Sequence, residues 1–246
     1  MITNKEIYLK RKDEYINITE YDLSVPEKYI IIKYLLNKEG KILEGGIGTG
    51  RIIFNLKKIG FKKLYGFDYL PEMISYANSY AKRMKYNVNF SIADAINLNC
   101  YKSETFDYTI YLRNFISFIP HQYTRQALKE AYRALKKNGI ALFSFLNIEG
   151  RWYNKFIGII VNIVRCFSGY EINMHILPWL STKKHCFNWK FLFMNQAQVY
   201  WFDKGEIIGL LQDVGYKIVE VKTEKEILDD NKREQGSIYI VCKKEN

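Results

Sequence analysis

Apolar and polar positions alternate in blocks along residues 26–146, and the blocks predict strands and helices in turn. Short apolar runs predict five strands, and amphipathic stretches predict four helices. The strands fall at residues 41–43, 63–67, 88–92, 106–112 and 140–146, and the helices at residues 27–36, 51–59, 122–135 and from Pro71 onward. Strands that alternate with helices are typical of a sheet covered by helices on both faces. We therefore predict an α/β, doubly wound, mostly parallel sheet.

The second half of the chain departs from this alternation over residues 147–203, which carry Trp152, Trp179 and Trp189. Within it the run 156–164 is apolar on all sides, a pattern typical of a buried helix. Residues 196–202 alternate and predict a strand. We expect this segment to be a cap or lid inserted after the fifth strand.

The end of the chain predicts a helix and two final strands. The helix covers residues 204–214, with Asp203 as its cap and Gly215 at its end. The strands fall at residues 216–221 and 237–242, with a charged loop of 15 residues between them. Such a connection is short for a parallel crossover, so an antiparallel final pair is expected.

The first strand ends in Glu44, and Gly46, Gly48 and Gly50 follow at alternate positions before a helix that begins at Arg51. Glycines let the backbone turn sharply and let a ligand approach it, and a helix start offers free N–H groups. The dinucleotide fingerprint would need glycine at position 51. A carboxylate beside the turn suits a ligand with a cationic end. The same glycines are also compatible with a tight turn that binds nothing.

A second acid, Asp68, ends the second strand 18 residues after Gly50. In the dinucleotide fold an acid at about 20 residues' spacing accepts hydrogen bonds from ribose hydroxyls. The glycine turn and Asp68 together therefore indicate a ligand that contains a ribose.

These motifs resemble class I S-adenosylmethionine (SAM)-dependent methyltransferases. The Glu-x-Gly-x-Gly-x-Gly pattern is similar to their first motif, and residues 66–77 are similar to their second. The resemblance covers about residues 26–246, with 147–203 as its variable part. It implies a Rossmann-like seven-stranded sheet with an antiparallel last strand, SAM as cofactor, S-adenosylhomocysteine as product, and no metal. Residues 1–25 would form a segment covering the cofactor site.

The resemblance also implies a set of cofactor contacts. Tyr69 and Met73 match positions that flank the adenine, although core packing explains Met73 equally well. Asp94 would meet the adenine amino group, or simply cap its own loop. Arg113 stands where the family usually has glycine. The full set is Glu44, Gly45, Gly46, Gly48, Gly50, Asp68, Tyr69, Met73, Asp94, Ala95, Leu112 and Arg113.

The implied reaction is in-line attack by a nucleophile on the sulfonium methyl group, which needs mainly alignment and exclusion of water. A neutral amine needs little help from a base, whereas a hydroxyl does. Asn114, as an orienting group, and His121 are the candidate catalytic residues. The family's N-methylating motif is absent, which argues against the common DNA-base and protein-glutamine enzymes. His175, His185 and Cys186 have no convincing metal-ligand spacing.

The net charge of the chain does not decide which class of molecule accepts the methyl group. Lys+Arg 37 against Asp+Glu 26 gives a net charge of +11, which invites contact with nucleic acid or an acidic membrane, but the lysines are scattered. We expect a small-molecule acceptor because of the aromatic cap. The alternatives are a tRNA or RNA methyltransferase, supported by the charge and by a faint similarity to wobble-uridine tRNA enzymes, and a non-catalytic SAM-binding protein. A monomer or a homodimer is expected.

Four cysteines, at positions 100, 166, 186 and 242, have neither zinc nor redox spacing. The N-terminus has no signal-peptide core, and no apolar run reaches the ~18 residues of a membrane span. These features predict a cytoplasmic protein with free thiols.

Overall fold

A computed structural model describes residues 16, 18–151, 154–169, 172–178, 198–232 and 234–245. The first 15 residues of the expected N-terminal segment lie outside the described residues. So do several residues of the expected cap, namely Trp152, Trp179, Trp189, His185 and Cys186.

The order of helices and strands up to β5 is the predicted one, with no helix among the described residues between β3 and β4. The strands are β1 Lys41–Gly45, β2 Lys63–Asp68, β3 Asn89–Ile92, β4 Phe106–Tyr111, β5 Leu135–Phe145, β6 Ile176–Pro178, β7 Gln198–Tyr200, β8 Tyr216–Thr223 and β9 Ile238–Lys244. The helices are α1 Val25–Tyr34, α2 Arg51–Lys58, α3 Pro71–Arg83, α4 His121–Ala134, α5 Asn154–Phe167, α6 Lys204–Val214 and α7 Glu224–Leu228.

Seven strands form one sheet in the order β3-β2-β1-β4-β5-β9-β8. All neighbouring pairs are parallel except those of β9, which runs antiparallel to both β5 and β8. This confirms the predicted Rossmann-like sheet with its antiparallel last strand. The strand order reverses between β1 and β4, and the carboxyl ends of strands at such a switch point are where α/β proteins bind ligands.

Helices cover both faces of the sheet, as the doubly wound prediction requires. On one face α1, α2 and α3 bury residues such as Ile31, Ile53 and Ala77 against the sheet. On the other face α4 and α6 bury Leu128 and Leu211. Strands buried on both faces explain the near-continuous apolar runs in the sequence.

Predicted boundaries differ from the structure around the start of β5. The helix before it ends at Ala134, and the strand begins at Leu135 rather than at residue 140, since Leu135 already pairs with Phe106. The ladder then shifts register, and Asn138 takes a positive φ of 62°. Phe106 pairs with Leu135 and Tyr108 with Ile140, so β5 has more residues than β4 between these two pairs. A pattern of apolar residues does not reveal such an irregularity.

The prediction that residues 156–164 form a helix buried on all sides was wrong. The helix exists as α5, but Phe156, Ile159, Ile163 and Phe167 are exposed, with Phe167 at 89%. Their spacing puts them on one stripe, opposite the buried Asn154, Gly158 and Asn162. One side of the helix packs, and sequence apolarity alone does not say which side has a neighbour.

The end of the chain contains one element that the sequence did not predict. Residues expected to form only a charged loop between β8 and β9 include α7. Thr223 caps this helix, with Glu226 completing a capping box. The antiparallel pairing of β8 with β9 agrees with the prediction.

Candidate functional site

The turn after β1 is held by backbone hydrogen bonds, one to β2 and one within the turn. The Ile47 N–H donates to the Phe67 carbonyl at 3.1 Å, and the Gly50 N–H donates to the Ile47 carbonyl at 2.9 Å. Gly48 has φ 53°, and a Cβ built on it would have no atom within 4 Å. The turn therefore faces open space at Gly48, next to the start of α2.

Gly46 has the opposite surroundings. A Cβ on this residue would overlap the ring of Phe115, which comes from the 3-10 helix Phe115–Phe118 after β4. The absence of a side chain at Gly46 lets the segment after β4 pack directly on the turn after β1. This contact joins the two strand ends at the switch point.

Asp68 ends β2 and is only 7% exposed. Its Oδ2 accepts a hydrogen bond from the Gly48 N–H at 2.9 Å, and its Oδ1 accepts one from the Leu70 N–H at 3.0 Å. Burial raises the pKa of Asp68 above its ordinary value, while the backbone N–H groups around it oppose the shift. Each oxygen keeps a further lone pair, so the carboxylate can hold the turn and still accept from a ligand.

Glu44 is 3% exposed, and its Oε2 has no hydrogen-bond partner. Burial raises the pKa of this carboxyl to about 8, and the positive charge of Arg51 only partly opposes the rise. A buried acceptor without a partner is costly in a folded protein. A cationic ligand donor at the turn would satisfy it, which is how the site fits the ammonium group of an amino-acid ligand.

Arg51, at the first position of α2, links the turn to the N-terminal part of the chain. Its guanidinium forms a buried ion pair with Glu27 of α1 and donates to the Asp22 carbonyl at 2.9 Å. Asn55 donates to the Tyr21 carbonyl at 2.9 Å. Residues 21 and 22 are thus tied to α2, while the expectation that residues 1–25 cover the cofactor site stays a prediction.

The adenine-side candidates lie at the ends of β2 and β3. Met73 is buried at 3% exposure, as the core-packing alternative expects, and Ala95 is buried as well. Asp94 is exposed, and its Oδ1 accepts from the Ile96 N–H at 3.2 Å. The loop-capping role of Asp94 is thus present, and its predicted contact with adenine stays a prediction.

Two residues after β4 take left-handed backbone conformations. Arg113 has φ 57° and Asn114 has φ 59°. The Asn114 N–H donates to the Ser144 hydroxyl at 2.8 Å, and its side-chain amide donates to the Ser237 hydroxyl at 3.1 Å. Asn114 therefore joins β4 to β5 and to the residue before β9, while its catalytic role stays a prediction.

A sequence profile described as "Methyltransferase domain" matches residues 42–139, from β1 into β5. The glycine turn and strands β2 to β4 lie within these matched residues. Residues 42–139 are therefore similar to a methyltransferase domain. No curated protein sequence matches the chain.

Solved structures share the fold of this chain. A SAM-dependent methyltransferase from Methanosarcina mazei has a TM-score of 0.67 at 19% identity, covering 91% of this chain and 99% of its own. A SAM-dependent methyltransferase from Clostridium acetobutylicum has a TM-score of 0.65 at 13% identity, with coverages of 98% and 100%. The [4+2]-cyclase SpnF has a TM-score of 0.64 at 12% identity, with coverages of 99% and 96%. Because one of these is named as a cyclase, the fold by itself does not specify the reaction.

His121 begins α4 and lies in an aromatic cluster that the sequence did not predict. Its ring stacks on Tyr200 with centroids 3.8 Å apart, and His175 stacks on Tyr200 at 5.3 Å. The Tyr200 hydroxyl donates to Glu206 at 2.7 Å. These residues come from α4, β7, α6 and the residue before β6, so no local motif could have revealed the cluster. The catalytic role of His121 stays a prediction.

His175 has a defined tautomer within this cluster. Its Nδ1 lies 2.8 Å from the Trp201 carbonyl, which can only accept, so Nδ1 carries the proton. The Glu206 Oε2 lies 3.8 Å from the same nitrogen. In the neutral ring, Nε2 is then an acceptor.

No helix in the described part of the chain is long and apolar enough to cross a membrane. In the same residues, no group of three or more His, Cys, Asp or Glu side chains is arranged to hold a metal ion.

Proposed function

We propose that this methyltransferase domain transfers the methyl group of SAM to a small-molecule nucleophile, on oxygen, nitrogen or carbon. The observation that carries the proposal is the pair of buried carboxyl groups, Glu44 and Asp68, on either side of the open turn at Gly48. The Oε2 atom of Glu44 has no hydrogen-bond partner, and the carboxylate of Asp68 accepts a hydrogen bond from the Gly48 N–H of the turn. SAM presents both an ammonium group and a ribose to such a pair.

Each candidate residue then has a stated task. Glu44 accepts from the ammonium group, Asp68 accepts from the ribose hydroxyls, and Gly48 leaves room for the ligand to approach the backbone. Asp94 and the Ala95 N–H contact the adenine. Gly45, Gly46, Gly50, Tyr69, Met73 and Leu112 shape the surrounding wall.

The bound SAM supplies an activated methyl group on a sulfonium, and the chain's own residues align the acceptor and exclude water. Phe115 covers Gly46, and Leu112, which follows β4, is buried, so apolar side chains line this part of the wall. Asn114 and His121 are the proposed orienting residue and base on the acceptor side. An amine acceptor would need only the orienting residue, Asn114, and no base.

A small acceptor is supported by the apolar character of the described part of the cap. Leu146, Ile148, Leu177, Val199 and Trp201 form a buried cluster against Phe118, next to the segment after β4. A half-open pocket of about 430 Å³ shares Ile148 with this cluster, and its other lining residues are the apolar Ile159 and Met174, the polar His175 and the charged Glu149, Lys155 and Asp203. Small-molecule sites are apolar cavities of about 300–1,000 Å³ with few polar groups.

The test uses SAM with a labelled methyl group, the purified protein and an extract of its source organism. Label in acid-soluble products is the expected result. Label in insoluble material that disappears with ribonuclease would instead establish the RNA alternative and make the +11 charge functional. Calorimetry with SAM comes first, because binding without any label would favour the non-catalytic alternative, and absence of binding would contradict the proposal.

A further inference from the structure

The helix α5 presents most of its large apolar residues to solvent. Its buried residues are Asn154, Ile157, Gly158 and Asn162, and only one of these is large and apolar. Its outward side carries five exposed apolar residues, here called the α5 stripe, namely Phe156, Ile159, Ile163, Val164 and Phe167. A surface helix of a soluble protein normally has the reverse arrangement, with its apolar side against the core.

Hydrogen bonds of the buried asparagines fix this orientation. The Asn162 amide donates to the Asn173 carbonyl at 3.2 Å, and its Oδ1 accepts from the Asn173 N–H at 2.8 Å. The Asn154 amide donates to the Ile148 carbonyl at 3.1 Å. Turning the helix to bury the α5 stripe would break these bonds, and buried polar groups without partners are costly. The fold therefore holds the stripe on the outside.

The side chains of the α5 stripe form one continuous surface. Residues three, four and seven positions apart lie on the same side of a helix, so the stripe runs along α5 for about 16 Å. Ile159 and the exposed Met174 also line the half-open pocket described above. Single exposed apolar residues are ordinary, whereas a contiguous patch marks a surface that contacts a protein or a membrane.

Charge distinguishes between a second copy of this chain and a lipid surface. Lys155 and Arg165 lie on α5, which has no acidic residue, and the whole chain carries +11. A second copy would bring the same cations and, from α5, no carboxylate to pair with them. Lys155 does pair with Glu149 at 3.3 Å, but both side chains are exposed, and such pairs are weak. Anionic lipids supply negative head groups and an apolar phase that needs no matching shape.

We propose that the α5 stripe docks the protein on an anionic lipid surface, with α5 lying in the plane of the membrane interface. At 14 residues α5 is too short to span a bilayer, which takes about 20. Interfacial helices bury their apolar side at the boundary between head groups and acyl chains. The pocket that shares Ile159 with the stripe then lies at this boundary. Docking of this kind does not depend on methyl transfer.

Sedimentation with vesicles, in the absence of SAM, tests the proposal. The vesicles contain phosphatidylcholine with phosphatidylserine, or phosphatidylcholine alone. The natural protein should bind the mixed vesicles more tightly, and salt should weaken that binding by screening the charge. Phe156→Gln combined with Phe167→Gln should lower affinity for the mixed vesicles by at least about tenfold, because two phenyl groups no longer enter the lipid. Ile163→Gln alone should give a smaller loss.

Ile32→Gln combined with Tyr123→Gln is the matched control. Ile32 on α1 and Tyr123 on α4 are also exposed, so two large apolar side chains are removed from other helices. This variant should bind the vesicles like the natural protein. Glutamine is a good helix former, and thermal unfolding verifies that every variant is folded.

Four results would overturn the inference. The natural protein could fail to bind the mixed vesicles, or could bind both kinds of vesicle equally, which would remove the role of charge. The control variant could lose as much affinity as the phenylalanine variant, which would move the contact away from α5. Gel filtration could show a dimer that the phenylalanine variant disrupts, which would assign the stripe to a second copy. SAM binding is measured separately, so each of these results leaves the proposed function standing.

Discussion

Asp68 illustrates how a single side chain can serve both the fold and a ligand. Its carboxylate accepts from the N–H groups of Gly48 and Leu70, so it holds the glycine turn in shape before any ligand arrives. Preorganised acceptors of this kind cost little to align at the moment of binding. Removing the Asp68 side chain therefore takes away hydrogen bonds that hold the turn and also the acceptor proposed for the ribose.

Asp68→Ala should weaken SAM binding by about 2–3 kcal/mol, because a charge-assisted pair of hydrogen bonds is lost. Calorimetry measures the change. Asp68→Asn is the control, because its amide oxygen still accepts one bond, and its loss should be smaller. Unchanged affinity in Asp68→Ala would contradict the placement of the ribose.

Glu44 should make stability depend on pH. Its pKa is raised from an ordinary 4.5 to about 8, chiefly by burial, with Arg51, Glu27, Arg113 and the Ile53 N–H as its surroundings. Between these values the folded state holds more protons than the unfolded state, so the free energy of unfolding falls as pH rises. The fall is on the order of a few kcal/mol.

Urea unfolding of the natural protein and of Glu44→Gln, at several pH values from about 4.5 to about 8, measures this effect. The variant should lose stability less steeply over that window, because its amide does not titrate. The raised pKa of Asp68 acts in the same direction in both proteins and cancels in the comparison. Parallel curves would show that Glu44 is not buried as described.

At the level of elements, the strand-turn-helix unit from β1 to α2 is the centre of the candidate site. Its glycines Gly46 and Gly48 are needed for different reasons. Gly46 is needed for the close approach of Phe115, whereas Gly48 leaves open space beside Asp68. A side chain at position 46 would disturb the packing of Phe115, and a side chain at position 48 would enter the space proposed for the ligand.

Gly48→Ala should therefore reduce SAM affinity more than it reduces stability. The positive φ costs about 1–2 kcal/mol of folding free energy, and no neighbouring atom is displaced. Gly169→Ala is the matched control, since Gly169 has φ 70°, no atom within 4 Å of its Cβ position, and a place after α5. Thermal unfolding should show similar losses in the two variants, with SAM binding reduced only in Gly48→Ala. Equal affinities would move the ligand away from this turn.

At the level of the whole molecule, the net charge of +11 is the strongest argument for an acidic partner. Some of these cations are used within the fold. Lys244 donates to the Leu135 carbonyl at 2.8 Å, and Arg133 pairs with Glu130 at 2.8 Å. Positive charge that serves internal contacts is not available to a nucleic acid in the same way as a solvated patch.

Salt dependence separates the two acceptor classes. Transfer of label to a small acceptor should change little between about 50 and about 200 mM salt, whereas binding to RNA through several phosphates would fall by roughly a thousandfold. The rate of label incorporation from the extract measures this. A steep loss with salt would favour the RNA alternative over the small-molecule proposal.

Local sequence determined the order of the elements, the glycine turn and the two acids at strand ends. Each of these depends on residues that are neighbours in the chain, so hydrophobic period, glycine spacing and a strand-terminal acid were enough. For the same reason the helix Lys204–Val214 was predicted with both its cap and its terminal glycine. The family resemblance rested on these same short segments.

Tertiary structure decided the contacts that join distant parts of the chain. The Arg51–Glu27 pair spans 24 positions and the Asn114–Ser237 bond spans 123, and the rings around Tyr200 come from several separate elements. Packing also decided that one side of α5 stays exposed. No local pattern encodes such contacts, because they exist only once the sheet has brought its strand ends and helices together.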